Sequence, residues 1–217
     1  MATPRHTRRA VFAWSLLIPS GAAPFRAAMA AVRPKIITML GDSITAGYGL
    51  PVAAALPNQL HLALAKLGVA NVVRAAGVSG DTTAGALARV DFSVQKDTDL
   101  AIVALGGNDL LQGQAAARTR ANLDAIVRKL QARRIAVLIA GIAAPVEVGG
   151  GYARDFNGAF TAVGKGRGVP VYPDLIAGIG RNAALKQADG IHPNPRGVLI
   201  IAERLAPVVV KALAAKR

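Results

Sequence analysis

The sequence predicts an α/β protein with a doubly wound, parallel sheet that is covered by helices on both faces. Three observations lead to this prediction. After residue 35, short apolar runs alternate with longer stretches of helical periodicity, and the connections between them are short. The short runs are apolar at nearly every position, which is typical of strands buried on both faces. Because parallel strands joined by helices have right-handed crossovers, this alternation favours helices on both sides of one sheet.

Five apolar runs are predicted to be the strands: residues 36–40, 71–75, 100–105, 135–140 and 169–172. In doubly wound sheets, ligands bind beyond the carboxyl ends of the strands. Ser43 follows the first run, Gly80 the second and Asn108 the third. The order of the chain therefore predicts that the chemistry lies at this edge of the sheet.

Helical patterns lie between the strands and after the last one. In the first helix, leucines recur on one face, at Leu56, Leu60, Leu64 and Leu67. In the third, apolar residues follow the spacing of an amphipathic helix, at Leu123, Ile126, Val127 and Leu130. Thr82 or Thr83 can cap a short second helix, and the fourth covers residues 152–165. Asn194 or Pro195 opens the C-terminal helix.

Residues 1–31 have the pattern of a secretory signal peptide. Basic residues come first, a mostly apolar stretch follows over residues 11–23, and Ala-Met-Ala at 28–30 resembles a cleavage site. The apolar stretch is too short to span a bilayer. Arg8 and Arg9 are similar to the pair of a twin-arginine signal, and an ordinary Sec signal or an uncleaved anchor are the alternatives. We therefore predict export to the periplasm or the exterior.

Residues 32–217 have the length of a single domain. Apolar residues make up 53% of the chain, which excludes an intrinsically disordered protein. The lack of cysteine excludes disulfides, a thiol nucleophile and thiolate metal sites. The formal net charge of +14 would allow weak attraction to anionic lipid surfaces or acyl-CoA phosphates, and a simply solvated basic surface is the alternative. Because no aromatic residues alternate with the basic ones, nucleic acid is not an expected partner.

Ser43 is the candidate nucleophile because a histidine and an acid accompany it. A serine hydroxyl is a poor nucleophile unless a base takes its proton. Beyond residue 31 the chain holds two histidines: His61 lies in a predicted helix, and His192 has an acid three residues earlier, Asp189. A carboxylate at that spacing can bend back to Nδ1, which leaves Nε2 free to act as the base. Taken singly, each of the three could instead serve in a turn or as a helix cap.

Two further loops offer donors for a developing negative charge. Gly80 lets the backbone approach a ligand and point its N–H inward, and the side-chain amide of Asn108 can donate beside it. A simple strand-to-helix turn at Gly80 and a left-handed turn at Asn108 are the alternatives. Neither a Rossmann nor a P-loop phosphate motif follows a strand, and no pair of histidines has metal-ligand spacing. The sequence thus predicts no cofactor and no catalytic metal.

Four short segments in this order resemble the blocks of the GDSL, or SGNH, hydrolase family. They are Gly41-Asp42-Ser43-Ile44, the segment 77–82 that contains Gly80, Gly106-Gly107-Asn108-Asp109, and Asp189-Gly190-Ile191-His192-Pro193. The resemblance covers residues 35–210. Residues 41–50 and 77–85 are similar to the bacterial arylesterase branch, also described as multifunctional thioesterase I, lysophospholipase and protease I. Ile44 stands where the family motif has leucine, at a packing position.

The resemblance implies a flavodoxin-like, three-layer α/β/α sandwich with a five-stranded parallel sheet. It implies a catalytic triad of Ser43, Asp189 and His192, and an oxyanion hole formed by Ser43, Gly80 and Asn108. The implied activity is hydrolysis of small-molecule esters and thioesters through an acyl-enzyme, with no metal. The alternatives are a carbohydrate O-acetylesterase of the same superfamily and a non-catalytic binding module on the same scaffold.

Two loops are expected to line the pocket beside Ser43, over residues 110–115 and 143–151. Three glycines at 149–151 favour a mobile segment that could gate the pocket, and a flexible connector is the alternative.

Overall fold

A computed structural model describes residues 1–2 and 33–215 of the chain. The chain divides into two units, Met1–Ala31 and Val32–Arg217. All further description concerns the second unit. The proposed signal peptide lies outside the described residues, apart from its first two. No helix of the described part is long and apolar enough to cross a membrane.

The second unit contains one five-stranded sheet, and all of its strand pairs are parallel. The strands are β1 (Lys35–Gly41), β2 (Asn71–Gly77), β3 (Leu100–Ala104), β4 (Ala136–Ala140) and β5 (Val171–Tyr172). They lie in the order β2-β1-β3-β4-β5. Each predicted strand agrees with the observed one to within two residues at either end, so the α/β prediction is confirmed.

Seven α-helices are present in the described residues. They are α1 (Ser43–Ala46), α2 (Leu56–Lys66), α3 (Thr83–Ser93), α4 (Gly107–Leu111), α5 (Ala116–Ala132), α6 (Gly150–Arg167) and α7 (Pro195–Ala214). Thr82 caps α3 by accepting the N–H of Gly85, and Asn194 caps α7 by accepting the N–H of Gly197. Both caps were among the predicted alternatives.

Two apolar clusters cover the two faces of the sheet. Ile37 and Met39 of β1 face a cluster that includes residues of α2 and α7. Leu40 points to the other face, where residues of α3, α5 and α6 pack. This alternation along one strand is what a parallel sheet between two helical layers requires. The observed architecture is therefore the three-layer α/β/α sandwich.

The prediction that Leu67 shares the buried face of α2 is wrong. Leu67 is 51% exposed, while Leu56, Leu60 and Leu64 are fully buried. The helix ends at Lys66, and Leu67 already belongs to the turn that continues through Gly68, whose φ is +78°. The helical spacing of the leucines in the sequence therefore continues one residue past the end of the helix.

The register of the sheet brings three chain segments to one edge. Gly41, the last residue of β1, lies opposite Gly77 at the end of β2 and Ala104 at the end of β3. Ser43, Gly80 and Asn108 follow these three positions within a few residues. Glycine is required at Gly41 because a Cβ there would lie 2.1 Å from Oγ1 of Thr45, on the short helix that begins at Ser43.

Candidate active site

Three side chains from distant parts of the chain form a continuous line of hydrogen bonds. Oγ of Ser43 lies 2.8 Å from Nε2 of His192, and Nδ1 of the same ring lies 2.6 Å from Oδ2 of Asp189. Ser43 begins α1 directly after β1, whereas the other two residues lie on the loop before α7. The structure thus brings together residues that are 149 positions apart in sequence.

The loop that carries the acid and the base is folded tightly on itself. Oδ1 of Asp189 accepts the backbone N–H groups of Ile191 (2.9 Å) and His192 (3.0 Å). Gly190 adopts a φ of +69°, which glycine accommodates without strain. With one oxygen held by the backbone, the other is directed at the imidazole. This is why a spacing of three residues suffices for the pair.

Asp189 is held in its charged form. The hydrogen bond from His192 and the two backbone N–H groups lower its pKa from 3.8 to about 2. An ionised carboxylate can only accept, so the proton of the neutral imidazole resides on Nδ1. Nε2 is then the acceptor that faces the hydroxyl of Ser43, as general-base chemistry requires.

A second acid, Asp42, lies directly beside Ser43. Its side chain caps α1 by accepting the N–H of Ile44 at 3.0 Å, and the residue is only 5% exposed. Burial raises its pKa from 3.8 to about 6, against the lowering effect of that N–H and of His192. Asp42 belongs to the Gly-Asp-Ser motif, but the sequence does not show that its carboxyl is buried. The motif alone therefore predicts no role for it.

Tyr48 and Gln187 connect the loop that carries Asp189 and His192 with the segment that follows Ser43. The rings of Tyr48 and His192 are 4.7 Å apart and tilted by 39°. Nε2 of Gln187 donates to the carbonyl oxygens of Tyr48 (2.8 Å) and Pro193 (3.0 Å). The backbone N–H of Gln187 donates to the carbonyl oxygen of His192 at 2.8 Å. Neither residue could be assigned a role from the sequence, because no motif contains Gln187 and Tyr48 lies at the periphery of its motif.

The candidate oxyanion donors line one cavity together with the serine and the histidine. The cavity has a volume of about 260 Å³. Its lining residues are Asp42, Ser43, Ile44, Tyr48, Ser79, Gly80, Gly107, Asn108, Leu111, Ile191 and His192. Gly80 has a φ of +83°, a conformation that other residues adopt only with strain. A substrate carbonyl in this cavity would be surrounded by the predicted donors.

Asn108 is the second residue of α4, not part of a left-handed turn. Gly106 before the helix takes the positive φ instead, at +112°. Nδ2 of Asn108 donates to the carbonyl oxygen of Asp81 at 2.9 Å, which fixes the plane of the amide. The amide has two N–H bonds, so one remains to donate elsewhere.

Asp109 anchors the segment that follows Gly80. The residue is 2% exposed, and its carboxylate accepts the backbone N–H of Thr83 at 2.9 Å and the hydroxyl of Thr83 at 2.5 Å. Asn108 and Asp109 therefore hold residues 81–83 through two consecutive side chains. Sequence analysis placed Asp109 in a family block but assigned it no role.

The expectation for the two loops is half right. Leu111, from the segment 110–115, lines the cavity at Ser43, but no described residue of 143–151 does. Residues 143–145 and 147 instead line a separate cavity of about 1060 Å³. The physical reason is that Asn157 of α6 bonds both the N–H and the carbonyl oxygen of Ala144, which ties this loop to α6.

Among the described residues, no group of three or more His, Asp or Glu side chains could hold a metal ion.

The chain matches the model of the GDSL-like lipase/acylhydrolase family over residues 39–199. The chain belongs to this family. The matched region includes the serine, the glycine, the asparagine and the histidine after which the SGNH family is named, and the prediction of the family is confirmed.

Similar proteins are named as esterases and thioesterases. Esterase TesA of Pseudomonas aeruginosa is 35% identical over 158 residues, which are 72% of this chain and 79% of that protein. Thioesterase 1/protease 1/lysophospholipase L1 of Escherichia coli K12 is 33% identical over 184 residues, or 84% of this chain and 85% of that protein.

A solved structure of the same fold is that of AlinE4, an SGNH-hydrolase family esterase. It is 38% identical to this chain, with a TM-score of 0.69, and the match covers 84% of this chain and 98% of the other. Family, fold and solved relative agree, so this chain is a hydrolase of the GDSL/SGNH type.

Proposed function

We propose that this hydrolase cleaves small-molecule carboxylic esters and thioesters through an acyl-enzyme on Ser43. The observation that carries the proposal is the line of hydrogen bonds from Ser43 through His192 to Asp189. Ser43 and His192 line a cavity that Gly80 and Asn108 also line. The names of the esterase and thioesterase relatives support the same substrate class.

In the acylation step, Oγ of Ser43 attacks the carbonyl carbon of the substrate, and its proton moves to Nε2 of His192. The carboxylate of Asp189 stabilises the imidazolium that forms. The backbone N–H groups of Ser43 and Gly80 and the amide of Asn108 donate to the oxyanion of the tetrahedral intermediate. The intermediate then expels the alcohol or thiol, which takes the proton from His192 as it leaves.

In the deacylation step, water takes the place of the leaving group. His192 accepts a proton from this water as its oxygen attacks the acyl carbon, and the same donors hold the second oxyanion. Collapse of the intermediate returns the proton to Oγ of Ser43 and releases the carboxylic acid.

A fluorophosphonate probe with mass spectrometry tests the nucleophile. The parent protein is expected to gain one adduct on Ser43, and the Ser43→Ala variant none. Ser79→Ala is the matched control because Ser79 lines the same cavity. It should be labelled like the parent. An adduct on Ser79 or on another serine in the Ser43→Ala variant would contradict the proposal.

A substrate panel tests the reaction class. The panel contains p-nitrophenyl esters of increasing acyl length, acyl-CoA thioesters and an acetylated polysaccharide. We expect turnover of the esters and thioesters with a burst of p-nitrophenol. Turnover of the polysaccharide alone would point to an O-acetylesterase, and the lack of any burst to a binding module.

We also propose that residues 1–31 direct export to the periplasm or the exterior. The basic start and the apolar stretch support this proposal. The test expresses the full chain in a Gram-negative host and determines the N-terminus of the protein in each cell fraction. Substitution of Arg8 and Arg9 by lysine should block export if the route is twin-arginine. Uncleaved protein in the cytoplasm would contradict the proposal.

A further inference from the structure

Arg89 of α3 uses all three of its guanidinium nitrogens behind the candidate oxyanion hole. Its Nε donates to Oδ2 of Asp81 at 2.7 Å, and one terminal nitrogen donates to the carbonyl oxygen of Gly41 at 3.0 Å. The other terminal nitrogen donates to the carbonyl oxygen of Ala76 at 2.9 Å and to Oγ of Ser93 at 3.0 Å. The side chain is only 20% exposed, so solvent screens these contacts little.

Each main-chain partner of Arg89 lies a few residues before a candidate donor. Gly41 ends β1, two residues before Ser43. Ala76 is the second-to-last residue of β2, four residues before Gly80. The Arg89 side chain therefore joins the ends of two neighbouring strands at the point where each one delivers a donor.

The third partner connects Arg89 to the remaining donor. Asp81 follows Gly80 directly, and its carboxylate forms the ion pair with Arg89. The carbonyl oxygen of the same residue accepts Nδ2 of Asn108 at 2.9 Å. A Cβ on Gly85 would lie 1.9 Å from Oδ1 of Asp81, so α3 packs closely against this carboxylate as well. Arg89 thus contacts the segments that carry Ser43 and Gly80 directly, and it is connected to Asn108 through Asp81.

We propose that Arg89 is a positioning residue that holds the oxyanion hole in its working geometry. This inference rests on the proposed function, because it assigns Arg89 to the hole of that same site. The planar guanidinium presents several N–H donors in a fixed arrangement, which a lysine cannot reproduce. Donors that are aligned before the reaction stabilise the developing charge without reorganising.

The proposal predicts a specific kinetic effect. Arg89 does not line the cavity that contains Ser43 and His192, so its loss should leave substrate binding almost unchanged. A displacement of the donors weakens their interaction with the oxyanion, which exists only during the reaction. We therefore expect kcat of Arg89→Met to fall about 10- to 100-fold, with KM changed less than about threefold.

The matched control is Arg167→Met. Arg167 of α6 also forms a two-nitrogen ion pair, with Asp124, but on the α5–α6 side of the molecule and away from the cavity. Its kcat with p-nitrophenyl butyrate should equal that of the parent. Urea denaturation at the assay temperature must show that each assayed variant is folded. If Arg89→Met does not fold, Arg89→Lys takes its place, with an expected loss in kcat of about fivefold or more.

A double-mutant cycle separates positioning from general structural support. If Arg89 acts through the hole, the loss caused by Arg89→Met should shrink markedly when Asn108→Ala has already weakened the hole. The proposal would be overturned if the loss in kcat of the double variant equalled the product of the two single losses. It would also be overturned if the folded Arg89 variant had a kcat within twofold of the parent. Failure of the proposed function itself would look different, because Ser43→Ala would then keep the parent turnover.

Discussion

Replacement of Asp42 by asparagine should change the pH dependence of stability. The Asp42 carboxyl is almost fully buried next to Ser43, and burial raises its pKa from 3.8 to about 6. An asparagine has nearly the same shape and cannot ionise. Its side-chain oxygen can still accept the N–H of Ile44, so the cap on α1 is retained.

The sign of the effect follows from proton linkage. Because the pKa of Asp42 is higher in the folded chain than in the unfolded one, the folded chain binds the proton more tightly. Well below pH 3.8 the carboxyl is protonated in both states and does not reduce the free energy of unfolding. As the pH rises toward 6, the unfolded chain ionises more readily than the folded one, and stability falls. Above that pH the cost is complete, and the difference between 3.8 and about 6 corresponds to about 3 kcal/mol.

The assay is urea unfolding of the parent and of Asp42→Asn between pH 4 and pH 8. The variant carries an amide NH₂ group in place of the second oxygen. Any cost of burying this group is the same at every pH, so it displaces the stability curve of the variant by a constant amount and adds nothing to its pH dependence. At pH 4 the unfolded parent is already more than half ionised at this position, so part of the cost is present there. Relative to the parent, Asp42→Asn should therefore gain about 2 kcal/mol between pH 4 and pH 8.

Ser43→Ala is the control for this experiment. It alters the same corner of the site and removes no ionisable group, so its curve should run parallel to that of the parent. Parallel curves for the parent and for Asp42→Asn would refute the reasoning, because the buried carboxyl would then carry no ionisation cost in the folded chain.

Three more outcomes are expected. Asn108→Ala should fold normally and lose about 100- to 1,000-fold in kcat, since it removes one oxyanion donor; near-parental turnover in a steady-state assay would remove it from the hole. In α6, Gly158→Ala should stabilise the fold by about 0.5–1 kcal/mol, as its Cβ would enter open space. Gly164→Ala should destabilise it by about 1–3 kcal/mol, because its Cβ would lie 2.2 Å from Cγ2 of Val171; thermal unfolding of both variants tests this contrast.

The fold was predictable because burial on both faces leaves a plain signal in the strands. The errors lie at the ends. Val169 and Pro170 were included in the last strand, which begins only at Val171, and Pro170 has no N–H with which to pair. The short helices at Ser43 and Gly107 were not predicted because four or five residues are too few to show helical periodicity.

The residues of the candidate site could be selected from the sequence as far as they belong to short motifs. Ser43, Gly80, Asn108, Asp189 and His192 were all named from sequence, and they lie around one cavity or next to it.

The supporting residues could not be found in the same way. Arg89 contacts Gly41, which is 48 positions away, and Gln187 contacts Tyr48 across 139 positions. Pairings of this kind depend on the path of the whole chain, and no local pattern records them.

The division of the proposed triad between two parts of the fold has a consequence for inactivation. Ser43 begins a short helix directly after strand β1, whereas His192 and Asp189 share one exposed turn. A few polar contacts from Gln187 and Asn194 keep this turn in place. Opening of that turn costs far less than melting the core. On warming, activity should therefore be lost while the sheet is still intact. On cooling, activity should return as the turn closes again, without refolding of the core.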